Sequence, residues 1–327
     1  MKKPPREGQK IDHIVQASGV SRSTVFRYFA GREIRPAAAA AIDRALSVLS
    51  SRTDSAPGRS REFLVSIVPT YTRFRGYAEV LEGILERAYE SGVSIRIGGH
   101  QKAGPPPQGV VMIGKNLIDE DLESAGWKAL GVPCVMVNRM PEEADRSWVS
   151  VDCREAARQA VRHLLDQGCR RVAVWNDERS RVSRDKQRGY RDALGAAGLG
   201  LDPTLILDPA QVTLDQGFAQ VMALALPPDG WFSPDDEIAI QVVSLATARG
   251  LSVPRDLAVI GMNDISTAAH TVPSLSSVRL PFREMGQGTV EALLRLVEHP
   301  RERSVRILLN HELVIRDSSS RGEGFKP

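Results

Sequence analysis

Residues 19–31 read GVSRSTVFRYFAG, and this stretch decides the organisation of the amino-terminal part of the chain. Gly19 interrupts an apolar helical pattern over residues 11–17, and glycine readily adopts the positive φ of a tight turn between helices. Ser21 is a preferred N-cap residue for a second helix over residues 22–29. The pattern therefore predicts a helix, a turn and a second helix that carries exposed arginines.

A third helix is predicted to follow. Pro36 is a favoured first helical residue, and the alanine-rich segment 37–49 places one apolar stripe at Ile42, Ala45, Leu46 and Leu49. Val25 and Phe29 lie four residues apart on the second helix, so both side chains can face this stripe. Three short helices around one apolar cluster are typical of a domain that places a basic helix in the major groove of DNA. A helical docking domain with solvated arginines is the alternative.

The charge distribution favours the DNA-binding interpretation. Residues 1–62 contain twelve Lys or Arg and six Asp or Glu, a net charge of +6, whereas the remaining residues carry −3. A small basic head on a mildly acidic body indicates a polyanionic partner for the head.

The stretch 19–31 resembles the DNA-binding head of the lactose/galactose-repressor (LacI) family of transcription regulators. The resemblance lies in a Gly-Val-Ser turn, a recognition helix with Thr-Val and Arg, and a loop that contains Gly31. It implies that base edges are contacted by Arg22, Ser23 and Arg27. It also implies that phosphates lie near Lys10, Ser21, Thr24 and Arg35. Phe26 departs from the small or polar residue usual in the family, and suggests an apolar contact such as one with a thymine methyl group.

Residues 50–62 (SSRTDSAPGRSRE) are predicted to form a flexible linker, because they are polar and contain Pro57-Gly58. In the LacI family this region folds on DNA into a hinge helix, and a leucine of that helix wedges into the minor groove. No large apolar residue is present here, which argues against a wedge. The linker arginines either follow the DNA backbone or belong to a solvated tether.

The body is predicted to be a parallel α/β structure. Short apolar runs occur at residues 63–69, 93–98, 110–113, 134–137, 171–175, 230–233 and 257–261. Most alternate with helical patterns at residues 77–91, 155–167, 186–197, 214–225 and 236–249. Continuous apolar strands separated by helices indicate parallel sheets that are covered on both faces.

Long stretches of the body again resemble the LacI family, at residues 149–175, 184–194, 231–264, 273–297 and 311–319. The resemblance implies a periplasmic-binding-protein-like (type I) fold, in which two α/β lobes surround a cleft. It divides the chain into a helix-turn-helix head (1–49), the linker (50–62), the body (63–317) and a tail (318–327). Lobe 1 is expected at about 63–168 and 281–302, and lobe 2 at about 169–280 and 303–317. A homodimer is expected, because the sequence shows no added tetramerising helix after residue 319.

The cleft is expected to bind a small-molecule effector, since ligand cavities in parallel α/β sheets lie at the carboxyl ends of strands. The residues that follow predicted strands, and to which the resemblance also points, are Tyr71, Phe74, Arg139, Asp235 and Asn263. Lys186 joins this set, because the resemblance places it where an arginine commonly anchors effectors.

Alternative roles remain open at several of these positions. Packing is the alternative for the two aromatic residues, and capping of the next helix is the alternative for Asp235 and Asp236. An anionic effector group is favoured by three basic residues, Arg139, Arg184 and Lys186. For Arg184, a solvated surface position is the alternative.

Composition and motifs argue against several other classes of protein. No apolar run approaches the ~20 residues of a membrane-spanning helix, and no apolar stretch follows the charged amino terminus, so a cytoplasmic protein without a membrane partner is expected. Cys134, Cys153 and Cys169 are too scattered for a disulfide framework or a zinc site. Phosphate-binding, nucleophile-elbow and metalloprotease motifs are absent from the sequence. No metal, cofactor or catalytic residue is predicted.

The sequence thus predicts a DNA-binding transcription regulator, acting as a repressor, whose operator affinity is controlled by a sugar or a sugar-derived metabolite. Two alternatives come from other classes. A free-standing solute-binding protein would need an export signal, and an α/β enzyme with an incidental helical head would need a catalytic constellation.

Overall fold

The computed structural model describes residues 15–16, 18–29, 34–42, 44–45, 61–67, 75–98, 106–113, 118–177 and 180–321. The chain divides into two units, a head of residues 1–60 and a body of residues 61–327. The predicted linker residues before Arg61, and Lys10, Tyr71 and Phe74 among the predicted binding residues, lie outside the described parts.

Helix α1 of the head spans Arg22–Phe29. Residues 15, 16 and 18 before it are helical, as are residues 36–42, 44 and 45 after it, and Gly19 has φ 66° in the turn. Val25 and Ile42 are fully buried, and the half-buried apolar side chains packed against them are those of Val15, Val20, Tyr28 and Ile34. The helix-turn-helix prediction is therefore confirmed in the described residues, with its core where the apolar pattern placed it.

The body contains two parallel sheets. Their strands are β1 (Glu62–Ile67), β2 (Ser94–Gly98), β3 (Gly109–Ile113), β4 (Cys134–Val137), β5 (Ser147–Val151), β6 (Val172–Trp175), β7 (Ile206–Leu207), β8 (Gly230–Phe232), β9 (Ala258–Asn263), β10 (Ser276–Arg279), β11 (Arg306–Leu309) and β12 (Glu312–Val314). The first sheet has the order β11-β5-β4-β3-β1-β2 and the second β12-β10-β9-β8-β6-β7. The pairings between described strands are parallel except for β10 with β12. Strands β3 and β9 are buried at every residue, which accounts for the apolar sequence of β3 and of residues 258–262 in β9.

Helices flank both sheets. In the body they are α2 (Arg75–Glu90), α3 (Ile118–Ala129), α4 (Cys153–Asp166), α5 (Arg181–Ala196), α6 (Leu214–Met222), α7 (Asp236–Ala248) and α8 (Phe282–Glu298). Helix α8 packs along α2 and against β3, β4 and β5 of the first sheet, whereas α4 packs along α5 and against strands of the second sheet. This two-lobed α/β arrangement confirms the predicted fold class.

The chain crosses between the lobes three times, at residue 152, at residues 280–281 and at residues 310–311. The predicted crossings near residues 168 and 303 therefore differ from the structure. Helix α4 belongs to the second lobe, because it packs along α5 and against strands of the second sheet. Gly189 of α5 allows the two helices to touch, since a Cβ at this position would collide with the carbonyl oxygen of Arg154. Strand β11 belongs to the first lobe, because it pairs in parallel with β5.

The predicted tail also begins too early. Ser318 and Ser319 are fully buried in the second lobe. Ser318 Oγ donates a hydrogen bond to the carbonyl oxygen of Val259 at 2.7 Å, and Ser319 Oγ lies 2.7 Å from Nε2 of His163. These hydroxyls fasten the end of the described chain across β9 and α4, so the second lobe extends beyond residue 317.

Candidate functional site

In both lobes, a central strand ends in a buried asparagine with left-handed backbone. Asn138 follows β4 with φ 55°, and Asn263 ends β9 with φ 118°. Such conformations are uncommon for residues other than glycine, and they turn the chain sharply at the edge of a sheet. The residues that follow these turns, Arg139 and Asp264, are thereby held at the carboxyl edges of the two sheets.

Arg139 is buried, with 4% of its surface exposed, although it carries a full charge. The turn before it is fixed from two sides. The backbone N–H of Asn138 donates to the carbonyl oxygen of Val149 at 2.9 Å, and its Oδ1 accepts from the Cys153 thiol at 3.8 Å. The backbone thereby fixes Arg139 at the carboxyl edge of the first sheet.

Asn263 is 5% exposed, and its Oδ1 accepts no hydrogen bond from any described residue. A buried amide oxygen without a donor costs about 1–3 kcal/mol. A hydroxyl group of a ligand would remove this cost, so the side chain is suited to binding a polyhydroxylated molecule.

Lys186 lies on α5, and its Nζ donates to the carbonyl oxygen of Pro234 at 2.7 Å. This contact fixes the ammonium group beside the loop between β8 and α7. Two of the three donors of the ammonium group are not used in this bond. Lys186 and Asp235 are thereby brought to the same loop, because Asp235 directly follows Pro234.

The two acids at the start of α7 have different roles. Asp235 is the N-cap, and its Oδ1 accepts from the backbone N–H of Glu237 at 2.8 Å. Asp236 is fully buried, and accepts from Ser277 Oγ at 2.7 Å and from the backbone N–H of Ile265 at 2.9 Å. The capping alternative is thus confirmed for Asp235, whereas Asp236 instead ties α7 to β10 and to the loop after β9.

Sequence reasoning missed this structural role of Asp236. Burial raises the pKa of Asp236 to about 6, against the opposing effect of its two hydrogen bonds, and the charges of Asp235 and Asp264 act in the same direction as burial. The glycine at position 261, inside an apolar strand, is the sequence feature that matches this role. In the structure a Cβ there would collide with Oδ1 of Asp236.

Asp264 is balanced by two arginines. Arg279 lies 2.7 Å from its Oδ2, and Arg316 lies 2.7 Å from its Oδ1. Its backbone N–H donates to Ser277 Oγ at 3.0 Å, which links it to the hydroxyl that binds Asp236. The loop after β9 is therefore held by a connected polar network, and this network positions Asn263.

A cavity of ≈ 380 Å³ lies where the two lobes meet. Its lining residues come from α2, from the start of α8 and from the loop after β9, namely Ala78, Glu79, Glu82, Arg283, Ile265 and Ser266. None of the predicted effector residues that the structure describes lines this cavity. The glutamates were missed, because their spacing on α2 is also that of an ordinary solvated helix face.

The second candidate surface is helix α1 of the head. Ser21, Arg22, Ser23, Arg27 and Arg35 are exposed. Ser21 Oγ accepts from the backbone N–H of Thr24 at 3.3 Å and lies 2.9 Å from the Thr24 hydroxyl, as expected of an N-cap. The side chain of Phe26 lies outside the described parts of the chain. The arrangement presents two guanidinium groups on one short, capped helix.

The described ranges of the chain also bear on metal binding and on membrane insertion. Within those ranges, no group of three or more His, Cys, Asp or Glu side chains is placed to hold a metal ion. No described helix is long and apolar enough to cross a membrane.

Comparisons with known proteins relate the chain to transcription regulators. A family model described as a periplasmic-binding-protein-like domain matches residues 147–319. The HTH-type transcriptional regulator CelR of Thermobifida fusca is 29% identical over 96% of this chain and 99% of that protein. The HTH-type transcriptional repressor CytR of Escherichia coli K12 is 28% identical over 80% of each chain. A solved CelR–cellobiose complex superposes with a TM-score of 0.71 and 27% identity, covering 94% of this chain and 99% of that one.

We predict that Asp236→Asn changes how stability depends on pH. The folded protein keeps a proton on Asp236 between pH 3.8 and about 6 that the unfolded chain has released. This contribution to stability is full below pH 3.8 and is lost as the pH rises through 6. The difference in unfolding free energy between the wild type and the variant should therefore fall by about 1 kcal/mol from pH 5 to 7.5.

Urea denaturation at several pH values measures this difference. Asp215→Asn, at an exposed acid in the first turn of α6, is the control, and should leave the pH dependence of stability unchanged. Parallel pH curves for the wild type and Asp236→Asn would contradict the assignment.

Proposed function

Because this chain belongs to the LacI family of helix-turn-helix transcription regulators, we propose that its head binds operator DNA and that a sugar-like effector in the body controls that binding. The observation that carries the proposal is the combination, in one chain, of a basic capped helix with a two-lobed body whose buried polar groups lie at the carboxyl edges of its sheets. Its DNA partner would place the protein in the cytoplasm.

Helix α1 is proposed as the element that enters the major groove. Arg22 and Ser23 in its first turn and Arg27 one turn later are exposed, and would contact base edges. A guanidinium can bind O6 and N7 of guanine together, which discriminates against other bases by about 1–3 kcal/mol. Phe26 is proposed to contact a thymine methyl group.

Phosphate contacts are proposed for the residues that flank the base-reading positions. They are Lys10, Ser21, Thr24 and Arg35, and they would fix the register of the helix on the duplex without reading its sequence. The hydrogen bonds between Ser21 and Thr24 support this assignment, because they hold both hydroxyls at the amino end of α1, where a helix favours anions.

The effector is proposed to bind between the lobes and to be a sugar or a sugar-derived metabolite. Asn263 would accept a hydrogen bond from a hydroxyl, and Arg139 and Lys186 would donate to oxygen atoms or to an anionic group. Asp235 can contribute Oδ2, which accepts no hydrogen bond from the described residues, while Oδ1 caps α7. The related CelR structure contains cellobiose, which supports a carbohydrate ligand here. Tyr71 and Phe74 are proposed to complete the site.

Regulation would act through the three crossings between the lobes. Ligands that contact both lobes stabilise one relative arrangement of them, and the coupling free energy to a second site is typically about 1–3 kcal/mol. Repression released by effector is the proposed direction, in keeping with the repressor CytR among the relatives.

A homodimer is proposed, because reading two half-sites of an operator requires two heads. Three large apolar side chains are exposed near one edge of the first lobe: Leu85 (49%), Tyr89 (85%) and Ile97 (53%). Leu85 and Tyr89 lie one turn apart on α2, and Ile97 lies on β2, the edge strand that α2 contacts. A second copy of the chain would cover this apolar edge.

We predict that Arg22→Ala and Arg27→Ala remove the preference for operator over random DNA. Each should weaken operator binding by about 1–3 kcal/mol, because base contacts are lost, with a smaller effect on random duplexes. Fluorescence anisotropy with a duplex selected from a randomised library, and with a scrambled duplex, measures both affinities.

Arg35→Ala is the matched control for the two base-reading arginines. It should weaken the binding of both duplexes alike, because a phosphate contact is independent of sequence. Equal losses on the two duplexes for Arg22→Ala and Arg27→Ala would instead assign those arginines to phosphates.

We predict that Lys186→Met weakens effector binding about 10- to 100-fold, the usual cost of losing a hydrogen bond from a charged donor. Isothermal titration calorimetry with the tightest ligand among cellobiose, glucuronate and glucose 6-phosphate measures the change. Arg188→Met is the control on the same helix, since Arg188 is exposed and pairs with Asp185 at 3.0 Å. Unchanged affinity in a folded Lys186→Met protein would remove this residue from the site.

A further inference from the structure

A second cavity, of ≈ 550 Å³, opens at the edge of the first sheet where its strands begin, opposite to the carboxyl edge that carries Arg139. Its lining includes Gln108 just before β3, Cys134 at the start of β4 and Ser147 at the start of β5. Arg139, in contrast, follows the carboxyl end of β4. The cavity is therefore separate from the proposed effector site, and its volume is within the range of small-molecule sites.

One wall of this cavity is apolar. Val132 and Pro133 precede β4, and Leu296 and Val297 belong to the last turn of α8. Cys134 adds no negative charge, because burial raises the pKa of its thiol to about 12. This wall can accommodate a hydrocarbon group.

Both acids that line the cavity are already paired. The carboxylate of Asp145 accepts from the ammonium group of Lys128. Glu302 binds the guanidinium of Arg295 through both oxygens, at 2.8 Å to Nε and 2.7 Å to Nη2. The negative charge of the lining is thereby neutralised.

A third acid, Glu123, lies close to Cys134 but does not line the cavity. It accepts hydrogen bonds from Ser66 Oγ at 2.8 Å and from Trp127 Nε1 at 3.1 Å. These bonds hold its carboxylate within the protein.

Two guanidinium groups of the lining remain without a carboxylate partner among the described residues. Arg146 donates from Nη1 to the hydroxyl of Ser124, which is 2% exposed, and this bond fixes the side chain in the wall. Arg303 also lines the cavity and forms no ion pair within the described ranges. Gln108 also lines the cavity, and its buried Oε1 accepts no hydrogen bond from a described residue. The lining therefore combines excess positive charge with an unused acceptor.

We propose that this cavity binds a small organic anion, which places a carboxylate or a phosphate monoester between Arg146 and Arg303 and an apolar group on the wall of Val132 and Leu296. A guanidinium forms paired N–H···O bonds with either kind of anion. A hydroxyl on the ligand would satisfy Gln108. Because this site and the effector cleft lie at opposite ends of the same strands, both can be occupied together.

The test uses the full chain and four probes, which are hexanoate, benzoate, phenyl phosphate and inorganic sulfate, each as its sodium salt. Saturation-transfer NMR detects binding, and titration calorimetry at constant ionic strength measures affinity. We expect at least one organic anion to bind, and the Arg146→Gln/Arg303→Gln double variant to bind it at least tenfold more weakly. The carboxylates and phenyl phosphate, compared with each other, show which head group is preferred.

Arg301→Gln is the matched control, because Arg301 is exposed, lies two residues from Arg303 and does not line the cavity. It should keep wild-type affinity, as should Lys186→Met, which affects only the effector cleft. Thermal melts establish that each variant is folded.

Three results would overturn the proposal: no organic anion binds, the double variant keeps full affinity, or sulfate competes as well as the organic anions, which would mean an adventitious ion only. None of these results would affect the DNA-binding proposal, because operator affinity is measured separately and depends on residues of the head.

Discussion

The three crossings of the chain between its two sheets are the constraint on which the body depends. They divide the chain so that polar residues lie at the carboxyl ends of both sets of parallel strands, while central strands such as β3 and β9 are buried. The first and third crossing segments are close to one another: Asp152 in the first and Glu155 just after it both act on His311 in the third, whose pKa is lowered by burial against their opposing charges. Any change in the relative position of the lobes must therefore act on these three short segments.

The polar and charged side chains that define the two proposed ligand sites of the body lie at the edges of its two sheets. At the carboxyl edge of the second sheet, acids are used to build structure: Asp235 caps α7, Asp236 ties three elements together and Asp264 pairs with two arginines. Apart from the second carboxylate oxygen of Asp235, the groups that remain for a ligand are neutral or positive, as in Asn263 and Lys186. A binding site assembled in this way favours hydroxyl and anionic groups over cations. At the amino edge of the first sheet the acids are likewise paired, whereas Arg146 and Arg303 form no ion pair within the part of the chain that the structure describes.

Much of the fold was predictable, because buried parallel strands have a simple sequence signature. The apolar run 134–137 coincides with β4, and Val25 and Ile42 form the predicted core of the head. The start of a helix was missed where its polar N-cap lies ahead of the apolar pattern. Ser180 caps α5, so this helix begins at Arg181, five residues before the predicted start at residue 186. The lobe to which α4 belongs was not predictable, because its apolar stripe does not reveal which sheet it covers. The role of Asp236 was missed as well, since its partners Ser277 and Ile265 are distant in sequence and their proximity is a property of the fold.

If the chain couples a DNA-binding head to a carbohydrate-binding body, the two binding reactions must obey thermodynamic reciprocity. The decisive measurement is the affinity of the full chain for cellobiose, glucuronate and glucose 6-phosphate, with and without a saturating selected operator duplex. We expect at least one of these ligands to bind, the operator to change its affinity about 5- to 150-fold, and the ligand to change operator affinity by the same factor. Binding of both partners with no change in either affinity would mean that the head and the body are not coupled.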